Sequence, residues 1–304
     1  MSKIYDALKK IQQERRSTTA TEGAISNELD PTIALREELA TNLAESRPGT
    51  NAPPRTGGLE HFLRFEKFVA RCARPEWSLD PDLVFSPEAG GSSVGAEQFR
   101  TLRARLDKIT ETKPLKKVQI TSAISGEGKT FVAVNLAHAI SQQQDRRVLL
   151  IDGDLRRSML HLSLGAPPSP GLSDYLLGEA QEADVVQHGK GGNLCFIPGG
   201  KQITDPSELL SKGRLKRLFD QMSDIFDWII VDSPPCLPVA DAMVVSRVCD
   251  GVLMVVRAAA TSSALSRKAS LELKGCNILG VVLNAVSEHY QAYPYGYPYS
   301  SRTS

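Results

Sequence analysis

Residues 123–130 (AISGEGKT) combine two glycines, a lysine and a threonine between an apolar strand pattern and an amphipathic helix pattern. A glycine-rich turn that leads into a helix directs backbone amides at phosphate oxygens. The lysine then reaches the β and γ phosphates, and the threonine hydroxyl is a ligand for Mg²⁺. The alternative is a glycine-rich turn that precedes a lysine by chance, which the combination of strand, spacing and helix disfavours. We therefore predict a phosphate loop whose nucleotide-binding residues are Ser125, Gly126, Glu127, Gly128, Lys129, Thr130 and Phe131.

Three carboxylates follow two further apolar runs. Asp152 and Asp154 come at the end of the run 148–151, and Asp232 comes at the end of the run 229–231. The carboxyl ends of parallel strands form the ligand crevice of a doubly wound sheet, so we expect all three beside the phosphate loop. There a carboxylate can hold Mg²⁺, directly or through water, or accept a proton from an attacking hydroxyl. The alternative is that these aspartates cap the helices that follow the strands.

The elements that must position these residues alternate between strand and helix patterns from about Ser92 to Val286. The predicted strands are continuous runs of Val, Ile and Leu, typical of a parallel sheet covered on both faces. They are expected at 118–121, 148–152, 194–197, 228–232, 251–256 and 278–284, and the helices at 96–109, 130–142, 209–222, 240–248 and 262–273. Together with the phosphate loop, they predict a doubly wound, mostly parallel α/β fold of the P-loop NTPase type.

Composition removes several other classes of protein. The chain has 304 residues, and 36 Lys+Arg against 35 Asp+Glu give a net charge of +1, so no overall field attracts nucleic acid. No apolar run approaches the length of a membrane span, and the charged start does not resemble a signal peptide. The five cysteines lack CxxC spacing, which disfavours a disulfide framework or a zinc site. We expect a cytoplasmic, reduced protein.

Shifts in composition divide the chain into four parts. Residues 1–16 have the pattern of a short amphipathic helix. Residues 17–91 are predicted to be a flexible linker with one short helical segment, because 17–58 are poor in apolar residues and Pro75, Pro81 and Pro87 break the chain after that segment. Residues 92–287 form the predicted catalytic domain. Residues 288–304 form a tail in which tyrosines alternate with Pro and Gly, which excludes a helix or a central strand. Of the seven tyrosines in the chain, five lie here: Tyr290, Tyr293, Tyr295, Tyr297 and Tyr299.

The phosphate loop, the DxDxR segment 151–156, the DxxP segment 229–235 and the tyrosine-rich tail together resemble the bacterial tyrosine kinases of capsular and exopolysaccharide synthesis. The resemblance covers roughly residues 92–300. It implies that Lys129 and Thr130 bind the phosphates of ATP and Mg²⁺, with Asp152 and Asp232 in the metal shell. Asp154 is then the base near the incoming tyrosine hydroxyl, and Arg156 belongs to the same motif.

The same resemblance implies an autokinase that phosphorylates its tail tyrosines and so regulates polysaccharide synthesis and export. An ExxRxxR motif, formed by Glu97, Arg100 and Arg103, is similar to the one the family uses between subunits of a ring. Spacing alone also fits a solvated helix face with local ion pairs. A transmembrane polysaccharide co-polymerase is the implied activator, which would hold a cytoplasmic chain at the inner membrane.

Two other interpretations and one residue stay open. Positioning ATPases of the chromosome and septum type carry an additional lysine early in the phosphate loop, where this chain has Ile124. A nucleotide-gated scaffold of an export complex would keep the same motifs with negligible kinase activity. Asn284 contacts adenine by analogy with related ATPases, or is a turn residue at the end of its strand.

Overall fold

In the computed structural model, the described residues are 58–85, 94–189 and 192–286. The predicted helix 1–16 and the tail 288–304, with all five of its tyrosines, lie outside them. None of the helices in these ranges has the length and apolarity that a bilayer crossing requires.

A seven-stranded sheet forms the centre of the fold, in the order β3-β4-β2-β5-β1-β6-β7. All its neighbouring strands are parallel except β3, which pairs antiparallel with β4. The strands are β1 (Lys117–Ser122), β2 (Val148–Asp152), β3 (Gln187–His188), β4 (Leu194–Ile197), β5 (Trp228–Asp232), β6 (Gly251–Arg257) and β7 (Ile278–Asn284). Every residue of β2, β4 and β5 is buried, as continuous apolar runs between two helical layers require. The prediction of a doubly wound, mostly parallel sheet is confirmed.

Helices cover the sheet. They are α1 (Gly58–Val69), α2 (Val94–Thr110), α3 (Lys129–Ser141), α4 (Leu160–Leu164), α5 (Leu172–Leu177), α6 (Glu182–Val185), α7 (Pro206–Ser211), α8 (Arg214–Ser223), α9 (Asp241–Ser246) and α10 (Ser263–Glu272). The central helix α3 is apolar almost all round and packs between α2 and the sheet. The prediction of a single helix at 209–222 is wrong. The structure has two helices there, α7 and α8, and they are separated at Gly213, whose φ of 78° is left-handed.

Residues 58–85, the described part of the predicted linker 17–91, contain the short helical segment expected there, as α1, but pack against the catalytic domain instead of forming a flexible linker. The ring of Phe65 in α1 meets the ring of Phe226 edge-on, with their centroids 5.7 Å apart, and the Arg147 guanidinium lies 5.3 Å from the Phe65 centroid. Residues 70–85, which we call the strap, follow α1 in the chain and contact α3 at their far end. There Asn135 of α3 accepts a 2.8 Å hydrogen bond from the Phe85 amide and donates one of 2.8 Å to the Leu83 carbonyl. Long-range contacts therefore make the strap part of the core, although Pro75 and Pro81 interrupt any regular element there.

Candidate phosphate-binding and catalytic site

The phosphate loop connects β1 to α3 and depends on two left-handed glycines. Gly126 has φ 82° and Gly128 has φ 88°. Both lie in the left-handed region of the backbone, which costs free energy for residues that carry a Cβ. A Cβ on Gly128 would also overlap the side-chain amide of Asn284. Ala123, which stands where the strict motif has glycine, is fully buried among apolar neighbours. These positions give the turn that precedes the N-terminus of α3.

The two residues that open α3 lie next to a buried carboxylate. Lys129 is only 9% exposed, and its positive charge acts on Asp232, whose pKa it lowers. The hydroxyl of Thr130 donates a 2.6 Å hydrogen bond to Oδ2 of Asp232. Phe131, the next residue, packs edge-on against Phe85 at 5.6 Å and thus contributes its backbone, rather than its ring, to the loop.

Asp232 ends β5 and is paired in register with Asp152, which ends β2. Burial raises the pKa of Asp232 to about 7, the charge of Asp152 adds to this, and Lys129 and Thr130 oppose it. Within the described part of the chain, no donor reaches its buried Oδ1. A buried carboxylate oxygen without a donor is a position that a cation can complete.

Asp152 is held by its own loop. Its Oδ2 accepts hydrogen bonds from the Ser158 hydroxyl at 2.7 Å and the Leu160 amide at 3.2 Å. Its Oδ1 accepts a 3.2 Å hydrogen bond from the Asp154 amide. Burial raises the pKa of Asp152 to about 6, and these hydrogen bonds oppose the shift.

The residues present fit a magnesium ion. Mg²⁺ prefers oxygen ligands and is usually bound through one or two carboxylates together with phosphate oxygens and water. The site offers the Thr130 hydroxyl, the unpartnered Oδ1 of Asp232 and the neighbouring carboxylate of Asp152.

Asp154 differs from the two buried aspartates because it is partly exposed. Its Oδ1 accepts a 3.0 Å hydrogen bond from the Arg157 amide, which fixes the carboxylate at the start of the loop that follows β2. A solvent-accessible carboxylate beside a buried phosphate site can receive a proton from an incoming hydroxyl.

Arg156 is bound to a distant element. Its Nε lies 2.6 Å from Oδ2 of Asp241, its Nη2 lies 3.2 Å from Oδ1, and its Nη1 donates to the Thr204 carbonyl at 3.1 Å. Asp241, in the first turn of α9, is 1% exposed and also accepts a hydrogen bond from Ser207. Arg156 thus joins the loop after β2 to α7 and α9.

The remaining predicted site residues lie in two places. Asn284, at the end of β7, donates a 3.0 Å hydrogen bond from Nδ2 to the Glu127 carbonyl, so it contacts the phosphate loop itself. On α2, Arg100 pairs with Glu97 at 2.7 Å on the exposed face. Arg103 donates a 2.7 Å hydrogen bond to the Ala139 carbonyl near the end of α3, a contact within the same chain.

Two features of the site are not predicted by the sequence. Ser158 and Asp241 hold the predicted residues Asp152 and Arg156 in place, and only the position of each soon after a predicted motif could have drawn attention to it. A groove of about 400 Å³ lies between α2, the start of α3 and the end of β7, beside Asn284. Its walls include Phe85, Phe99 and Phe131. No periodicity in the sequence indicates that these elements leave a groove.

Comparison with known proteins gives consistent results. A family model described as an AAA domain matches residues 115–266. The tyrosine-protein kinase YwqD of Bacillus subtilis is 35% identical over 209 residues, which are 67% of this chain and 86% of that protein. The tyrosine-protein kinase etk of Escherichia coli K12 is 40% identical over 196 residues, 62% of this chain but only 26% of that protein. The solved kinase domain of Escherichia coli ETK superposes with a TM-score of 0.59 at 36% identity, over 68% of this chain and 82% of that one.

Proposed function

Because the chain belongs to the family of bacterial tyrosine-protein kinases, we propose that it transfers the γ-phosphoryl group of ATP to tyrosines of its own C-terminal cluster. One observation carries most of the weight: the Thr130 hydroxyl and the Asp232 carboxylate meet at 2.6 Å, beside an Asp232 oxygen that no donor in the described ranges satisfies. The acceptors in this proposal are Tyr290, Tyr293, Tyr295, Tyr297 and Tyr299.

The phosphate loop binds and orients the triphosphate. Backbone amides at residues 125–130 and the ammonium of Lys129 surround the phosphate oxygens, and they stabilise the charge that develops on the transferred group. Mg²⁺, held by Thr130, Asp232 and Asp152, would neutralise negative charge on the phosphates when bound. Asn284 and the adjoining groove are the expected contacts of the adenine.

The tyrosine hydroxyl must lose a proton during transfer, since a phenol has a pKa near 10. Asp154 is the partly exposed carboxylate of the site, and it receives that proton in this proposal. The tyrosine oxygen forms a bond to the γ-phosphorus while the bond from that phosphorus to the bridging oxygen of ADP breaks, so ADP leaves as the anion.

We further propose that transfer occurs between copies of the chain in a homo-oligomeric ring. Glu97 and Arg100 lie on the exposed face of α2, where a neighbouring copy can reach them, and Arg103 anchors that helix to α3. Phosphorylation of five tyrosines adds roughly −8 to −10 charges to each subunit. Repulsion on this scale would push the tails away from neighbouring sites and loosen the ring.

The biological setting belongs to the proposal as well. A transmembrane polysaccharide co-polymerase would activate the kinase and hold it at the inner membrane from the cytoplasmic side, and the phosphorylation cycle would regulate exopolysaccharide or capsule synthesis and export. The similarity to tyrosine-protein kinases such as YwqD supports the kinase activity on which this setting rests.

Incubation of the purified chain with ATP and Mg²⁺, followed by detection of phosphotyrosine, tests the proposal. We expect a signal in the wild type, none in Lys129→Met, and an undiminished signal in the control Lys113→Met, since Lys113 is exposed outside the site. Mixing tail-deleted active chains with full-length Lys129→Met chains should label the latter if transfer occurs between copies. ATP hydrolysis without phosphotyrosine, both alone and after coexpression with a transmembrane co-polymerase, would refute the proposal and favour a positioning ATPase.

A further inference from the structure

The carboxylate of Glu127 is 1% exposed although it belongs to a loop that binds phosphates. A carboxylate directed at the phosphates would repel them. Instead, Oε2 accepts a 2.9 Å hydrogen bond from the Ile124 amide inside the loop, and Oε1 accepts one of 2.5 Å from the Thr261 hydroxyl. The negative charge is thus directed into the protein, on the side of the loop that follows β6.

The chain from Arg257 to Thr261, which we call the β6 loop, meets the phosphate loop at two more points. The Arg257 amide lies 3.4 Å from Oε1 of Glu127, and its guanidinium donates a 3.2 Å hydrogen bond to the Gly126 carbonyl. Thr261 is itself buried, and its amide donates to the Arg257 carbonyl at 3.1 Å. Ala259, between them, has φ 57°, so the β6 loop has a specific and partly strained shape.

Glu127 is also fixed through its backbone. Its carbonyl accepts the hydrogen bond from Asn284 at the end of β7. Segments that follow β1, β6 and β7 therefore converge on one residue of the phosphate loop, and their contacts occupy its acceptors. These contacts leave the backbone amides on the other side of the loop to face a phosphate.

We infer that Glu127 is a positioning residue, and that the β6 loop sets the affinity of the site for nucleotide by holding its carboxylate through Thr261 and Arg257. This rests on the proposed nucleotide site but does not require tyrosine transfer. If the carboxylate is released, it can turn toward the phosphate side, and the loop must be ordered again each time nucleotide binds. When Thr261 and Arg257 hold the carboxylate, it does not repel the phosphates, and the loop is already ordered before the nucleotide binds.

Replacement of one hydroxyl tests the inference. Thr261→Val keeps the shape of the side chain but removes the donor to Glu127, whereas Thr261→Ser keeps the donor. We expect Thr261→Val to raise the dissociation constant for Mg-ADP, measured by titration calorimetry, about tenfold, since hydrogen bonds to charged groups are among the stronger ones. Thr261→Ser should restore an affinity close to that of the wild type.

A matched control and a second variant keep the test decisive. Thr110→Val makes the same change at the end of α2, where the hydroxyl bonds only to the Asp107 carbonyl, and should leave Mg-ADP affinity unchanged. Glu127→Gln should weaken binding as well, because one of its two terminal atoms becomes a donor that faces another donor. A lower melting temperature with an unchanged dissociation constant in Thr261→Val, or wild-type affinity in Glu127→Gln, would overturn the inference. If the wild-type chain binds Mg-ADP but forms no phosphotyrosine, either alone or with a co-polymerase, the proposed kinase activity fails while this inference remains.

Discussion

The guanidinium of Arg156 and the carboxylate of Asp241 form a two-point ion pair, with Nε–Oδ2 and Nη2–Oδ1 distances of 2.6 and 3.2 Å. The two residues are 85 positions apart in the chain. Hydrogen bonding to Asp241 raises the pKa of Arg156 above its ordinary value, so the guanidinium stays charged throughout the physiological range. This ion pair ties the loop that carries Asp154 to α9.

Arg156→Ala should lower the free energy of unfolding by about 2 kcal/mol, because it leaves the buried Asp241 with only its contact to Ser207. The loss of stability is smaller than for a fully buried ion pair because a third of the Arg156 side chain is exposed. Urea unfolding followed by circular dichroism measures the change. Arg157→Ala, at the exposed neighbour, is the control and should have little effect. Equal stability of both variants would show that the ion pair does not hold the loop.

The pair of buried carboxylates predicts an unusual pH dependence for the chain without Mg²⁺. The folded-state pKa of Asp232 is raised to about 7 by burial, whereas an unfolded aspartate titrates near 3.9. Between these values the folded state binds more protons than the unfolded state, so stability should fall as pH rises from about 4 to 7. Asp232→Asn should leave only the smaller dependence due to Asp152, whose pKa burial raises to about 6, and should raise the free energy of unfolding at pH 8 by about 2 kcal/mol.

Urea melts across this pH range, with EDTA present, measure the effect. Addition of Mg-ADP should stabilise the wild type and not Asp232→Asn, because the variant lacks the carboxylate that fits the metal. Asp154→Asn is the control: its carboxylate is partly exposed, so the pH dependence should persist. Wild-type stability that rises steadily from pH 4 to 7 would contradict the prediction.

The two left-handed glycines of the phosphate loop should differ in their tolerance of alanine. Nothing lies within 4 Å of a Cβ on Gly126, so Gly126→Ala should cost only the backbone strain, about 1 kcal/mol. Gly128→Ala adds overlap with the Asn284 amide and should cost about 3 kcal/mol. Thermal unfolding without nucleotide compares them. The double variant Gly128→Ala/Asn284→Ala should recover part of the loss, and no recovery would mean that the overlap is not its cause.

The strap should contribute to stability through Phe85. Its ring lies 5.6 Å from Phe131 and 6.0 Å from Phe99, between α2 and α3. Phe85→Ala should therefore lower the free energy of unfolding by about 2 kcal/mol, less than for a fully buried phenylalanine because the ring is partly exposed. Leu83→Ala, at a strap residue that is 38% exposed, should change it little. If Phe85→Ala has wild-type stability, the strap does not belong to the folded core.

Local patterns in the sequence determine the central part of the fold well. The strands 148–152, 194–197, 228–232 and 278–284 are confirmed to the residue, because each is an apolar run bounded by polar or turn residues. Short elements such as α4 and β3 were missed because tertiary contacts, rather than periodicity, stabilise them. For the strap, Pro75 and Pro81 interrupt any periodic pattern and so predict a flexible linker, yet Trp77 packs on Phe196 and Val84 is 1% exposed.

The site divides in the same way. The meeting of Thr130, Asp152 and Asp232 follows from the rule that carboxyl ends of parallel strands converge. That rule does not predict where the side chains of Arg156, Glu127 and Asn284 point, because each is oriented by a hydrogen-bond partner at least 85 residues away. Residue type and spacing identify the chemistry, and long-range hydrogen bonds decide which side chains take part directly.

The direction of the strands also fixes where the chain enters and leaves the folded domain. His61 of α1 lies 4.0 Å from Asp227, immediately before β5, whereas β7 ends beside the phosphate loop at Asn284. The two places are separated by the length of a strand, about 17 Å, and by three strand spacings across the sheet, about 14 Å. The described part of the domain therefore begins near the amino end of β5 and ends at the carboxyl end of β7, on the side of the phosphate loop.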